Sequence, residues 1–322
     1  MKKIKVAVIG VGYLGKFHAE KYSRMANVDL IGVVDSDPER AMAIAEQFRT
    51  TPYFSHQDII GKVDAVSIAV PTPDHFAVCR DFLEANIDVL IEKPITDCLD
   101  EADHLVDLAR HRGRVLQVGH LERFNPAVVA LKDIISRPMF IESHRLSIYK
   151  PRCIDVSVIL DLMIHDIDLI LGFVRSEIRD IHASGIPVIS GHIDIASVRL
   201  EFDNGCVANV TASRISLKNE RKLRLFQKDA YVSIDFASRD ILVIRRNGSQ
   251  TEGVIPGTDI RQWALDKGDA LESELTAFIH SVSQRQPPEV TGQMGRDALK
   301  ISLLIMDRIH SFNQSHPEAL SE

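Results

Sequence analysis

A chain of 322 residues, 45% hydrophobic and 26% charged, is long enough for two domains with separate cores, and both fractions are ordinary for a globular protein. Its 45 acidic against 38 basic side chains leave a formal net charge of −7, which gives no support for a nucleic-acid partner but leaves room for a local basic pocket. Cys79, Cys98, Cys153 and Cys206 are too scattered for a C-x-x-C pair, so neither a metal site nor a disulfide framework is expected, and the setting reads as reducing and cytoplasmic. Lys5 and the glycines after it interrupt any signal-peptide core, and no apolar run reaches transmembrane length, so no membrane partner is expected.

Residues 3–9 pass from alternating charge to a wholly apolar run, as a strand entering a buried sheet should. Gly10-Val11-Gly12-Tyr13-Leu14-Gly15 follows, and residues 16–25 read as a helix. Strand, glycine turn and helix in succession are the setting in which G-x-G-x-x-G signals a dinucleotide site. Gly10 permits the turn, Gly12 lets a pyrophosphate approach the backbone, and Gly15 lets helix and strand pack closely. Tyr13 and Leu14 lie in the same turn, where the helix start offers N–H groups to phosphates. A second apolar run, 28–34, ends at Asp35, 20 residues past Gly15, where a carboxylate binds the ribose hydroxyls of NAD. Asp35 and Asp37 would repel the 2′-phosphate of NADP, and no arginine directly follows Asp35 to offset them.

The alternation continues. Residues 38–48 are helical with Asp37 as N-cap, 63–70 form a core strand closed by Pro71-Thr72-Pro73, and 74–85 form a helix. A strand at 88–92 stops at Lys93-Pro94, followed by a helix at 99–112 and a strand at 114–119. This rhythm predicts a doubly wound parallel sheet with crossover helices, an α/β Rossmann domain over residues 1–122. Beyond His120 the pattern changes to a helix at 126–135, a strand at 139–147, a basic loop Lys150-Pro151-Arg152 and a long apolar helix at 155–173. Five or six strands follow between Ile178 and Arg246 with no helix among them, then helices at 263–283 and 295–313. Residues 123–322 are therefore expected to form an α+β domain, an open, mostly antiparallel sheet covered by helices on one face. Helix 295–314 is expected to pack back on the first domain. Asn209, Thr211 and Ser213 are too small and polar for a second core, so their face suits contact with another subunit.

Two constellations carry chemistry. Ligands bind at strand C-termini in open parallel sheets, which puts Lys93, after Glu92, at the cofactor cleft; the proline after it admits a cis peptide. On helix 155–173, Asp161 and His165 are four residues apart and Asp168 is three further on, a spacing that predicts one shared face. Polar groups interrupting an apolar helix cost free energy unless they are paired or used. The residues alone leave the structural and the functional reading of this set open.

The glycine turn, Pro71-Thr72-Pro73-Asp74-His75, Glu92-Lys93-Pro94 and Asp161-x-x-x-His165-x-x-Asp168 occur in the order seen in the Gfo/Idh/MocA oxidoreductases, and the chain resembles that family over almost its whole length. The resemblance implies a Rossmann domain plus a domain with an open sheet, and a homodimer or homotetramer formed through that sheet. It implies that Lys93 and His165 sit beside a substrate carbinol with Asp161 close by, and that Pro71, Thr72, Glu92 and Lys93 contact NAD. His75 is either cofactor-side or structural. Oxidising a sugar alcohol needs hydride loss to nicotinamide and proton loss to a base. A neutral histidine such as His165 can take that proton. Lys93 would stabilise the developing charge on oxygen, and Asp161 would orient the pair. The residue types do not decide whether His165 or Lys93 holds the proton; His165 is taken as the base.

Residues 119–126, with Arg123 and Asn125, and the loop carrying Lys150 and Arg152 resemble the branch that oxidises UDP-N-acetylglucosamine at C3. In that branch a PLP aminotransferase takes the keto sugar onward in lipid A biosynthesis. A UDP-sugar brings a pyrophosphate that calls for Arg and Lys. Arg123, Arg145, Lys150, Arg152 and Arg214 are the candidates, Arg123 and Arg152 foremost. An inositol or simple-sugar dehydrogenase would not need the cationic loop, and a non-catalytic NAD-binding regulator need not keep Lys93, Asp161 and His165.

Overall fold

The structure, a computed structural model, describes residues 3–149, 156–247, 255–265 and 268–316. The chain divides into two compact units, Met1–Phe124 with Asp269–Leu299, and Asn125–Gly268 with Lys300–Glu322. This differs from a division at 122/123. A whole C-terminal segment joins the first unit, including a helix not expected there, while helix 295–314 contributes only its part up to Leu299.

The first unit opens with β1 (Ile4–Ile9), α1 (Tyr13–Arg24), β2 (Val28–Val34), α2 (Pro38–Phe48), β3 (Thr51–Tyr53), β4 (Ala65–Ile68), α3 (Thr72–Glu84), β5 (Asp88–Glu92), α4 (Leu99–Arg112) and β6 (Leu116–Gly119). The sheet order is β3-β2-β1-β4-β5-β6 with every pair parallel, the doubly wound order that reverses between β1 and β4. Val6, Ala7 and Val8, and likewise Val89, Leu90 and Ile91, are fully buried, so these strands read as continuous apolar runs covered on both faces. Asp37 caps α2 by accepting the Glu39 and Arg40 amide hydrogens at 3.1 and 3.2 Å, with Pro38 at the first helical position.

The second unit holds α5 (Pro126–Val129), β7 (Pro138–Ile148) and α6 (Ile164–Val174), the last entered without a break from a π-helical turn at Ile159–Met163. The strands β8 (Ile178–Ile186), β9 (Ile195–Phe202), β10 (Val207–Ser216), β11 (Glu220–Gln227), β12 (Ala230–Asp235), β13 (Asp240–Arg246) and β14 (Thr258–Ala264) complete it. The eight strands run in the order β14-β13-β12-β11-β7-β10-β9-β8, antiparallel except for β7 beside β10. In β9 the inward residues Ala196, Val198, Leu200 and Phe202 are buried, sharing a core with Ile159, Met163, Ile167 and Ile170, while Ser197 and Arg199 face outward. This period of two is the half-covered sheet expected.

Three expectations need correction. The helix at 126–135 is a single turn, capped by the Asn125 carbonyl, which accepts from Ala127 N at 3.1 Å. Trp263 is not helical: it pairs with Ile241 in β14, and α7 runs Ala270–Gln284. The start is set by Asp269, whose carboxylate accepts the Glu272 amide hydrogen at 3.0 Å. Ser213 is buried, unlike the partly exposed Asn209 and Thr211, because the alternation of β10 breaks where its register against β7 shifts. The last helix, α8, spans Gly292–Ser315. Among the described residues no helix is long and apolar enough to cross a membrane.

Candidate active site

The glycine turn is built for a close approach. Gly10 has φ +81°, and a Cβ there would stand 2.8 Å from the Ala69 carbonyl and the Val70 nitrogen. At Gly12 a Cβ would meet nothing within 4 Å, so the backbone faces open space. Gly12 is also the N-cap of α1, with no side-chain cap and no acid in the first turn. Uncapped amide hydrogens beside open space, at the positive end of a helix, fit a pyrophosphate. Tyr13 and Leu14 are exposed at this helix start, the Tyr13 ring meeting Phe17 edge-on.

Asp35 ends β2 as expected and is 6% exposed. Its Oδ2 accepts from Val11 N at 2.9 Å and its Oδ1 from Asp37 N at 3.0 Å. The Arg40 guanidinium lies 3.2 and 3.3 Å from the two oxygens. Arg40, in the first turn of α2, is a partner the sequence reading missed by looking only at the next position.

At the ends of the neighbouring strands, Pro71 and Thr72 begin α3, and the Lys93–Pro94 peptide is cis. His75 is buried, with Nδ1 2.8 Å from the Pro94 carbonyl oxygen and Nε2 3.0 Å from that of Val70. Burial lowers its pKa against the pull of those carbonyls and of Glu92. The ring ties the Pro71 loop to the Lys93–Pro94 turn. Of the two roles left open for it, the geometry favours the structural one. Glu92 Oε1 lies 3.1 Å from His18 Nε2, and His18 Nδ1 lies 2.7 Å from Ser67 Oγ. His18 is another residue the sequence reading passed over. Its only signal was a place on the buried stripe of α1 with Gly15, Ala19 and Tyr22.

In the second unit, Asp161 lies within the π-helical turn and His165 one residue into α6. Both are partly exposed, whereas Asp166 and Asp168 are 2% and 1% exposed. Asp168 belongs to the interior of α6, not with the partly exposed pair Asp161 and His165. Asp166 is held by Arg145 in a buried fork, Nε to Oδ2 at 2.7 Å and Nη2 to Oδ1 at 3.1 Å. Arg145 is therefore a structural partner of this helix, not a phosphate ligand. Arg214 is also withdrawn: it is 6% exposed, donates from Nη2 to the Val156 carbonyl, and lies 3.8 Å from Asp194. Asn125 uses its side-chain carbonyl as the α5 cap. Arg123 sits in the 3₁₀ turn Leu121–Phe124 at the end of the first unit's N-terminal segment. Lys150 and Arg152 lie outside the described residues.

Residues 4–120 match the oxidoreductase family model with an NAD-binding Rossmann fold, GFO_IDH_MocA, and residues 143–232 match the GFO/IDH/MocA C-terminal domain. The chain is 37% identical over 315 residues, 98% of its length, to all of the UDP-N-acetylglucosamine 3-dehydrogenase of Acidithiobacillus ferrooxidans. The chain belongs to the Gfo/Idh/MocA oxidoreductase family. A solved structure described as that enzyme from the same organism superposes with a TM-score of 0.90 at 36% identity, covering 97% of this chain and 99% of the other. An inositol 2-dehydrogenase of Rubrobacter xylanophilus is 29% identical over 229 residues, 67% of this chain and 66% of that one. As a Gfo/Idh/MocA protein the chain is an NAD-dependent dehydrogenase of the CH–OH class, and its first unit is the NAD-binding Rossmann domain.

Proposed function

We propose that the protein oxidises C3 of a UDP-N-acetylglucosamine-type sugar to the 3-keto sugar, with NAD as acceptor. What supports this reading is identity of 37% running the whole length of both chains to a relative of that name. NAD, when bound, supplies the hydride acceptor. Gly10, Gly12, Tyr13, Leu14 and Gly15 would hold its pyrophosphate, Asp35 its ribose hydroxyls, and Pro71, Thr72, Glu92 and Lys93 its nicotinamide half.

The chain's own residues manage the proton and the charge. His165, as a neutral imidazole, takes the proton from the sugar hydroxyl, a role suited to a group that titrates near neutrality. Lys93 donates a hydrogen bond to the same oxygen and stabilises the charge that develops as C3 loses its hydrogen. Asp161 orients His165. Arg123 and the loop carrying Lys150 and Arg152 receive the diphosphate, for which Arg and Lys supply charge-assisted hydrogen bonds. We further propose a cytoplasmic homodimer or homotetramer formed through the outward face of the eight-stranded sheet, with a PLP aminotransferase consuming the keto sugar.

NADH formation followed with UDP-N-acetylglucosamine, free N-acetylglucosamine and myo-inositol tests the assignment. The sugar nucleotide should be turned over with the highest kcat/KM. Faster turnover of myo-inositol would replace this reading with the inositol one, and tight NAD binding without turnover of any of the three would favour a regulator. His165→Ala should lose most of kcat while NAD affinity is kept; near-normal turnover removes His165 from the mechanism.

A further inference from the structure

Within the first unit, a group of buried polar side chains lies around Glu92, the residue before Lys93, and the cofactor turn does not account for it. His18, on α1, is fully buried, with Nδ1 2.7 Å from Ser67 Oγ on β4 and Nε2 3.1 Å from Glu92 Oε1 at the end of β5. The other Glu92 oxygen lies against Gly119 at the end of β6, where a Cβ would stand 3.0 Å from Oε2 and 3.1 Å from Cδ. Any side chain at 119 would crowd that carboxylate. One helix and the ends of two adjacent strands thus fix a single carboxylate, while β4 supplies the hydroxyl that orients the ring.

The remaining neighbour is an acid. Glu274, on α7, is fully buried, and neither of its carboxyl oxygens meets a hydrogen-bond partner among the described residues. Burial, and then the charge of Glu92, hold its pKa well above the usual carboxylate range. Burial pushes Glu92 up as well, but the His18 hydrogen bond, followed by the charges of His18, Lys93 and His75, brings it below its ordinary value. Tyr22, one turn beyond His18 on α1, is buried beside Ser67 and Glu274 and kept as the neutral phenol by burial. The groups facing Glu92 are therefore His18 from α1, His75 from α3, Glu274 from α7 and Lys93 in the chain itself. The two carboxyls are pushed in opposite directions, Glu92 below its ordinary value and the fully buried Glu274 above it. His18 Nε2 stands at ion-pair distance, 3.1 Å, from Glu92 Oε1, and a carboxylate there can only accept.

We propose that His18 is a positioning residue for the oxidation: Ser67 orients its ring, its Nε2 faces the Glu92 carboxylate at ion-pair distance where that carboxylate packs against Gly119, and Glu92 is the anion next to Lys93 in the chain. The proposal rests on reading Lys93 as the group that meets the reacting oxygen. The mechanism otherwise gives no reason for a histidine under the cofactor helix, or for a glycine at 119.

The test uses the full-length protein and two readouts. The first is competitive acylation of Lys93 by acetic anhydride, quantified by peptide mass spectrometry against the other lysines. Glu92→Gln should raise Lys93 labelling by about tenfold as the ammonium loses its anionic neighbour. His18→Ala should move it in the same direction, and His18→Gln, which keeps an N–H toward Glu92, should stay nearer to wild type. The second readout is NADH formation from UDP-N-acetylglucosamine. His18→Ala should lower kcat by about tenfold or more and move the acid limb of the pH profile upward, with NAD affinity changed by less than about threefold. Lys93 labelling and a pH profile unchanged in His18→Ala, with Glu92→Gln raised, would overturn the proposal. Should the alanine variant not fold, wild-type labelling and kcat in Glu92→Gln would overturn it instead. Wild-type turnover in Lys93→Met removes the reading of Lys93 itself, a result the labelling experiment does not depend on.

Discussion

Asp35 Oδ2 accepts the Val11 amide hydrogen at 2.9 Å, so the carboxylate that ends β2 is fastened to the glycine turn that follows β1. Asp35 thereby joins two parts of the dinucleotide site, the ribose acceptor and the phosphate turn. Asp35→Ala should weaken NAD binding by about 10- to 100-fold, the range for losing a hydrogen bond to a charged group. It also frees Arg40, which lies within 3.3 Å of both Asp35 oxygens, to meet a 2′-phosphate. The NADP/NAD affinity ratio, measured by titration calorimetry, should therefore rise in this variant. An unchanged ratio would mean that Asp35 does not discriminate between the cofactors.

The fork from Arg145 to Asp166 ties β7 to the helix that carries His165. Both side chains are almost wholly buried, so removing one leaves the other as an uncompensated charge. Arg145→Ala should destabilise the protein by about 3–5 kcal/mol in urea unfolding. Replacing both residues together, Arg145→Met with Asp166→Leu, should cost much less. Equal losses in the single and double variants would contradict the account.

Asp194 pins the connection between β8 and β9. Its Oδ2 accepts amide hydrogens from Val188, Ile189 and Ser190 at 2.8, 2.8 and 2.9 Å, and its Oδ1 accepts from Ser190 Oγ at 2.7 Å. Burial would raise its pKa, but these donors lower it from 3.8 to about 2. Because the folded value lies below the unfolded one, the stabilisation is present above about pH 4 and is lost as pH falls through about 2. Asp194→Asn should cost roughly 2 kcal/mol near neutrality, and the gap from wild type should close as unfolding is repeated in acid.

Glu274 has the opposite sign. Its pKa is raised when folded, so it contributes stability in full below its ordinary value of 4.5 and loses it as pH rises through the raised value. Glu274→Gln keeps the shape and removes the ionisation. The Tm of wild type should fall relative to Glu274→Gln as pH is raised from about 5 to about 8. Parallel curves would mean that Glu274 does not titrate differently in the folded chain.

What could be read from the sequence was local. The glycine turn, Asp35, the Asp37 cap, the strand end at Lys93 and the alternating strands all depend on neighbours a few residues apart, and the structure has them. β14 has no signal in the spacing that separates Trp263 from the helix after it, whose start Asp269 sets six residues later. Pairings across elements left no trace in spacing: Arg145 with Asp166, His18 with Glu92, and Arg214 with Val156. Two arginines considered for the diphosphate proved buried for that reason. The π-helical turn at Ile159–Met163, which carries Asp161, likewise leaves no trace in the apolar spacing.

The central claim is that hydride leaves C3 of a sugar nucleotide for NAD. UDP-N-acetylglucosamine deuterated at C3, incubated with enzyme, NAD and a carbonyl trap, tests it most directly by mass spectrometry of the nicotinamide product. The account predicts deuterated NADH and a trapped 3-keto sugar from wild type, with little of either from His165→Ala over the same time. Deuterium retained in the sugar, or reduced cofactor formed without label, would contradict it.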